Sequence, residues 1–195
     1  MKSLIRKLAE RIYLSYTRAH APQEALDFSE CLAQALTALV IMPTLPREQQ
    51  AVAWRALEEF QEVFAETHFT VMLEQGLADE LATNDNLQVL IFSAIEDLAF
   101  HGLPKKKLQD AVRSRHFDVV FDLHEHFDLA ATCLCLASDA KLRVALQDPQ
   151  RDSLYHFQVR VAEHHSLELK YDSLLKYLAC FKALSHAPEP DFVAA

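Results

Sequence analysis

Glycine is scarce in this 195-residue chain, which has only Gly76 and Gly102. Dinucleotide-binding fingerprints and phosphate-cradling loops need several glycines, because the backbone must turn sharply and its amides must approach the phosphates closely. Neither loop can be written anywhere on this sequence. We therefore expect no nucleotide pocket of these kinds and no cofactor.

Cations and long apolar runs are also few. Lys and Arg number 19 against 28 Asp and Glu, a net charge of −9. This excess of acid argues against nucleic acid as a partner, since phosphate contacts need clustered cations. The longest apolar run, residues 38–43, is far below the roughly 20 residues that span a bilayer. The amino terminus shows no secretory signal pattern, so we expect a cytoplasmic protein.

Cysteine is limited to four scattered residues, Cys31, Cys133, Cys135 and Cys180. Cys133 and Cys135 are two positions apart on a predicted helix and would point away from each other, which prevents joint metal binding or an easy disulfide. We expect reduced, buried cysteines.

What is present indicates one globular α/β domain. Hydrophobic residues make up 51% and charged residues 24% of the chain, as in folded soluble proteins. Strand-like and helix-like segments alternate, which predicts a single parallel, doubly wound, Rossmann-like sheet. The predicted strands are 36–42, 69–73, 87–92, 119–123, 142–146 and 157–161, and the predicted helices are 48–65, 77–82, 104–115 (opened by Pro104), 129–137 and 168–184.

Before this domain, which we assign to residues 35–186, lies a helical extension, residues 1–34. Its helices are predicted at 1–18 and 24–34, and residues 187–195 are expected to be a disordered tail. Residues 1–18 carry a charge of +4, which leaves −13 for the rest. Their apolar stripe is formed by Leu4, Ile5, Leu8, Ile12 and Tyr16. Packing of this stripe on the domain is favoured, and peripheral attachment to the inner membrane is the alternative.

Polar residues cluster where the predicted strand 119–123 ends. Ligands of parallel sheets bind at the carboxyl ends of the strands. The ligand-contacting candidates are therefore Asp122, His124, Glu125 and His126, together with Thr44 after the first strand. Imidazole and carboxylate also suit a metal, but two histidines do not define a ligand set, so we expect none. A solvated turn without a ligand is the other interpretation.

Two segments give the chain a family resemblance. Phe-Asp-Val-Val-Phe-Asp-Leu-His at 117–124 and Ser-Asp-Ala-Lys-Leu-Arg-Val at 138–144 are similar to the amino-terminal, acceptor-side domain of the ADP-heptose:lipopolysaccharide heptosyltransferase family. Segments 39–43 and 100–107 fall in the order that the resemblance implies. It covers roughly residues 36–180. It implies a Rossmann-like domain and a hexosyl- or heptosyl-type glycosyltransfer in cell-envelope polysaccharide synthesis.

The chain departs from this family where the family does its chemistry. The resemblance implies a glycine-containing loop with an acidic base after the first strand, whereas residues 43–48 contain neither glycine nor aspartate. Glu48 is the weak catalytic candidate, but a position in the first helical turn suits it better. The resemblance implies that the donor binds mainly in a carboxy-terminal domain, and we expect this chain to lack such a domain. We therefore expect no enzyme activity from the chain alone.

Three functions remain open. The first is a degenerate, non-catalytic glycosyltransferase-like module that binds a protein partner, a second copy or a sugar-containing ligand. The second is the acceptor-binding half of a split glycosyltransferase, and the third is a structural subunit at the membrane surface. Because the strand-end edge would lack its covering domain, we expect association there, with Leu45 and Phe127 as apolar anchors between loop 42–46 and turn 123–129.

Overall fold

The computed structural model describes residues 2–19, 25–80 and 87–185. The strands within them are β1 Thr37–Ile41, β2 His68–Glu74, β3 Leu87–Phe92, β4 Val119–Asp122, β5 Leu142–Leu146 and β6 Phe157–Val159. The helices are α1 Lys2–Ala19, α2 Phe28–Ala33, α3 Arg47–Val63, α4 Lys106–Arg113, α5 Leu129–Ala137 and α6 Leu167–Leu184. Two short 3₁₀ helices span Gln75–Glu80 and Pro149–Arg151.

The strands form one parallel sheet in the order β3-β2-β1-β4-β5-β6. The first strand, β1, lies near the centre of the sheet, and β2 and β3 follow towards one edge. The chain then crosses back to β4 on the other side of β1, and β5 and β6 follow towards the opposite edge. The carboxyl ends of β1 and β4 therefore flank the point where the winding direction reverses, which is where such sheets place ligands. The predicted doubly wound, Rossmann-like α/β fold is confirmed.

Helices cover both faces of this sheet, which explains the apolar runs of its central strands. In β1, Val40 belongs to one apolar cluster and its neighbours Leu39 and Ile41 to the other. The first cluster contains core residues of α3 and α6, and Phe60 of α3 lies 4.8 Å from Phe121 of β4 between ring centres. The second cluster contains residues of α1, α4 and α5.

Several predicted boundaries were wrong. Pro104 does not open α4, which begins at Lys106; Pro104 instead forms a β-bridge with Leu98. The amide of Lys105 donates to the carbonyl of Asp97, so the proline closes a turn rather than starting a helix. The segment 75–80 is a 3₁₀ helix rather than the predicted helix 77–82. The predicted start of the second helix at residue 24 and the tail 187–195 lie outside the described residues.

The packing face predicted for α1 was also wrong. The helix contacts the domain through Leu14, which is buried in the second cluster, and through Tyr13, which hydrogen-bonds to Cys133 of α5. Leu8 and Ile12 of the predicted stripe are 58% and 62% exposed. The side chains of Leu4 and Tyr16 lie outside the description. In the described part of the chain, no helix is both long and apolar enough to cross a bilayer.

All four cysteines are free, as predicted, but their burial differs. Cys133 and Cys135 are buried in α5, Cys31 is half-buried, and Cys180 is exposed. The prediction of burial was wrong for Cys180, because it lies on the outer side of α6.

Candidate functional site

A buried carboxylate lies at the carboxyl end of β4. Asp122 is 0% exposed and sits beside β1 and β5. Its Oδ1 accepts the amide N–H of His124 at 3.1 Å and lies 2.7 Å from the imidazole Nδ1 of the same residue. Its Oδ2 accepts the hydroxyl of Tyr155 and lies 3.6 Å from a guanidinium nitrogen of Arg151. Both carboxylate oxygens are thus used inside the protein.

Arg151 holds the turn after β4 against the end of β5. It is fully buried and donates to the main-chain carbonyls of His124 and Leu146, both at 2.9 Å, and to that of His126. A guanidinium presents several donors in a rigid fork, so one side chain can satisfy three carbonyls and face a carboxylate. This residue explains why turn 123–126 has a defined shape.

Charge within this network favours an ionised Asp122. Burial alone would raise its pKa, but the Arg151 charge and the contacts from His124 and Tyr155 lower the pKa of Asp122 to about 2. Burial and the neighbouring Asp122 raise the pKa of Tyr155 far above its ordinary range, so the phenol stays protonated and donates. The arrangement is therefore a structural ion pair rather than a free base.

We expect the pKa of His124 to lie above, and that of His156 below, the ordinary histidine value of 6.5. Burial tends to lower the pKa of His124, but Asp122 overcomes this and raises it above 6.5. Burial, helped by the Arg143 charge, lowers the pKa of His156 to about 4. Titration of the imidazole resonances by NMR measures both values, and Asp122→Asn should lower the value of His124 alone.

These shifts have opposite effects on stability. The raised pKa of His124 gives stability that is complete below its unfolded pKa and is lost as the pH rises through its folded pKa. His156 is held neutral, so it costs stability as the pH falls from 6.5 towards 4. A His124 resonance that titrates below 6.5, or a His156 resonance that titrates near 6.5, would contradict these assignments.

A small pocket opens beside this network at the carboxyl ends of β5 and β6. Its volume is about 100 Å³. Its polar lining is Glu125, His126, Gln147, Asp148, Glu163 and Lys170, and its apolar lining is Leu146, Pro149, Val159 and Val161. The strands supply the apolar walls, and the loops that follow them supply the polar groups.

The pocket carries an excess of negative charge. Lys170 is nearly buried and bonds to the carboxylate of Glu125 at 2.6 Å and to the carbonyl of Glu163 at 3.1 Å. Asp148 accepts amide hydrogens of Phe127 and Gln150. In the described part of the chain no cation pairs with Asp148 or with the Glu163 carboxylate. Such a lining accepts hydrogen bonds from hydroxyl or ammonium groups and repels phosphates.

The structure brings only some of the predicted site residues together. Glu125 and His126 line the pocket, whereas Asp122 and His124 belong to the buried network. Thr44 is exposed at the end of β1 and donates to a Glu74 oxygen at 2.9 Å. Contact of these residues with a ligand stays a prediction. Among the residues that the structure describes, no group of three or more His, Cys, Asp or Glu could hold a metal.

Sequence reasoning missed Arg151, Tyr155, Asp148, Glu163 and Lys170. The segment 147–153 looks like a solvated polar loop, and nothing in its pattern marks Arg151 as buried. The one usable signal was the Asp-Pro pair at 148–149, which comes just after the predicted strand 142–146 and so belongs at the same sheet edge as the end of strand 119–123.

The predicted interface anchors are less exposed than expected. Leu45 and Phe127 are half-buried and pack against the two apolar clusters. Met42 and Pro43 of the predicted contact loop 42–46 are buried, so these two residues offer no surface for association. The amide of Met42 donates to the carbonyl of Met72, which extends the β1–β2 pairing and carries this side chain into the core. Association through this edge stays a prediction.

No family model and no curated protein matches the sequence. Among solved structures, the chain is similar to a glycosyl transferase family 9 protein from Veillonella parvula DSM 2008, with a TM-score of 0.54 and 16% sequence identity. The fold is glycosyltransferase-like. The match covers 77% of this chain and 43% of that one, so the matched part is less than half of the Veillonella protein. At this identity the likeness concerns the fold, and the heptosyltransferase subfamily stays a prediction.

Proposed function

We propose that this chain is a glycosyltransferase-like module that binds a sugar-containing ligand but does not transfer the sugar by itself. The observation that carries the proposal is the enclosure of Asp122. Sugar transfer to a hydroxyl needs a base within hydrogen-bond reach of that hydroxyl. Asp122 is fully buried and both its oxygens are occupied by Arg151, Tyr155 and His124.

Loop 42–46, at the end of β1, supplies no substitute base, and the nearby Glu74 carboxylate of β2 already accepts the Thr44 hydroxyl. Loop 42–46 contains no carboxylate, and Glu48 is an exposed residue in the first turn of α3. That position is explained by the helix dipole, which stabilises acidic residues in the first turn. Thr44 cannot act as the base, and its hydroxyl already donates to Glu74.

The lining of the pocket at β5 and β6 supports one ligand class over others. A volume of about 100 Å³ lies below the roughly 300–1,000 Å³ of typical ligand pockets, so the pocket would enclose only part of one sugar ring and not a nucleotide sugar. The carboxylates of Asp148 and Glu163 favour hydroxyl and ammonium donors over phosphates. We therefore propose amino sugars as the preferred class, neutral sugars next and phosphorylated sugars last.

The ligand order can be tested by NMR titration of isotope-labelled protein with glucosamine, glucose and glucose 6-phosphate. Glucosamine should produce the largest saturable shifts at residues of the pocket, because its ammonium group meets uncompensated carboxylates. Glu163→Gln should weaken glucosamine binding by roughly tenfold, the value of one lost charge-assisted hydrogen bond. Glu62→Gln removes an exposed carboxylate of α3 and should change nothing.

Calorimetric titration with ADP-glucose and UDP-glucose completes this test. We expect no saturable heat at sub-millimolar concentration. A saturable response to either nucleotide sugar would overturn the non-catalytic assignment. Absence of any pocket shift with the three sugars, or tightest binding of the phosphorylated one, would overturn the ligand class.

A second candidate is the acceptor-binding half of a split glycosyltransferase. The glycosyltransferase-like fold, shared with the Veillonella parvula protein, is what supports it. A gene beside this one that encodes only a donor domain would support it. Transfer activity that arises only when the two chains are mixed would establish it.

A further inference from the structure

The exposed side of α1 combines apolar and basic side chains. Ile5, Leu8 and Ile12 recur at helical spacing and are all exposed. Lys7 and Arg11, four residues apart, are also exposed and neighbour this stripe in sequence. Leu14 and Tyr13 make the main contact with the domain, so Leu8 and Ile12 keep more than half of their surface in solvent.

A second exposed apolar element lies in the turn between β3 and α4. Ile95 is 90% exposed and Phe100 is 75% exposed. The turn is well defined, because the amide of Ala99 donates to the carbonyl of Leu103 and the amide of Gly102 donates to that of Ala99. Gly102 has a φ of 90°, a conformation that favours glycine. A structured turn therefore holds an isoleucine and a phenylalanine in solvent.

The two elements are adjacent. A mainly apolar groove of about 400 Å³ is lined by Ala9, Ile12 and Tyr13 of α1 and by His101 and Leu103 of the turn. Phe100 and His101 stack edge to face at 5.0 Å beside this groove. We call the surface formed by Ile5, Lys7, Leu8, Arg11, Ile12, Ile95 and Phe100 the α1–turn surface.

We infer that the α1–turn surface attaches the protein to an anionic lipid bilayer. This surface combines basic side chains, which complement anionic headgroups, with exposed apolar side chains. Residues 1–18 carry a charge of +4, although the whole chain carries −9. Three exposed lysines, Lys105 to Lys107, follow the turn and outnumber its two acidic residues, Glu96 and Asp97. Basic side chains around exposed apolar anchors are the arrangement of helices that lie in the headgroup region.

Lipid fits this surface better than a second copy of the chain. The remaining chain carries −13, but the surface itself is positive, so two copies that meet face to face would repel. An anionic bilayer can contact both kinds of side chain. Its headgroups attract the lysines and arginines, and the aliphatic side chains insert at the boundary with the acyl chains. The pocket at β5 and β6 shares no lining residue with the α1–turn surface. The inference of bilayer attachment is therefore independent of the proposed sugar binding.

The test is vesicle flotation of the full chain with phosphatidylcholine alone and with phosphatidylcholine mixed with phosphatidylglycerol. Wild type should float with the anionic vesicles at low salt and less at high salt. Lys7→Glu with Arg11→Glu should lower the partition coefficient by roughly tenfold or more, as should Leu8→Ser with Ile12→Ser. These side chains are exposed, so circular dichroism should show both variants folded.

Matched controls come from the opposite face of the sheet. Arg47→Glu with Lys176→Glu reverses two exposed charges on α3 and α6, and Leu169→Ser removes an exposed apolar side chain of α6. Both should float as wild type does. The proposal is overturned if wild type ignores anionic vesicles or if the α1 variants still float. It is equally overturned if light scattering shows a dimer that Leu8→Ser with Ile12→Ser dissociates without any vesicle binding.

Discussion

Replacement of Arg151 by methionine is expected to lower the free energy of unfolding by about 3–5 kcal/mol, the usual result of removing one partner from a buried ion pair. The loss has two sources. Asp122 would remain as a buried charge without its cation, and the carbonyls of His124, His126 and Leu146 would lose their shared donor. Urea denaturation at neutral pH measures the change.

Two further variants make this prediction specific. Arg151→Lys keeps the charge but not the planar fork, so it should lose less than methionine and still more than about 1 kcal/mol. Arg160→Met removes an exposed arginine from the neighbouring loop and should change the free energy of unfolding by less than about 0.5 kcal/mol. A methionine variant of wild-type stability would show that the buried network does not support the fold.

Replacement of Asp122 by asparagine is expected to remove part of the acid sensitivity of the protein. The folded pKa of Asp122 is about 2, below its ordinary 3.8, so its ionisation stabilises the fold at neutral pH. This contribution, about 2.5 kcal/mol, is complete above the unfolded pKa and is lost as the pH falls towards the folded pKa. Urea denaturation from pH 7 down to pH 2 should therefore show a shallower acid slope in Asp122→Asn.

The same variant should also be less stable at neutral pH, because it leaves Arg151 buried without its anion. Asp172→Asn changes an exposed carboxylate of α6 and should keep the wild-type slope. In the double variant Asp122→Asn with Arg151→Met, the loss should be smaller than the sum of the two single losses, since each single change leaves one charge unpaired. An additive double variant, or an unchanged acid slope, would contradict the coupling.

The strands and helices with the clearest patterns were predictable from the sequence. The predicted bounds of β3, β5 and α5 coincide with the observed ones, 87–92, 142–146 and 129–137. Strands of a parallel sheet covered on both faces read as continuous apolar runs, which is why β5 stands out. Turn 122–126 could also be placed at the strand-end edge, because strand order and ligand edge follow from the alternation of strands and helices.

The buried network around Asp122 and the polar lining of the pocket, both at that edge, depend on contacts between residues that are far apart in the sequence. Arg151 reaches Asp122 across 29 positions of chain, and Lys170 reaches Glu125 across 45. The pattern of apolar and polar residues in a segment indicates whether it forms a helix or a strand. It does not indicate which residue elsewhere in the chain neutralises a buried charge. Asp122 was therefore predicted to contact a ligand, and only the structure shows that Tyr155 and Arg151 enclose its carboxylate.

The sequence by itself determined the α/β class, the single parallel sheet and the amphipathic, basic character of α1. These follow from local apolar periodicity and charge, which each segment carries without reference to the others. Only the tertiary structure decided that Leu14 and Tyr13 contact the domain while Leu8 and Ile12 face solvent. The physical reason is that periodicity shows which side of a helix is apolar, but burial depends on whether another surface of matching shape lies against that side.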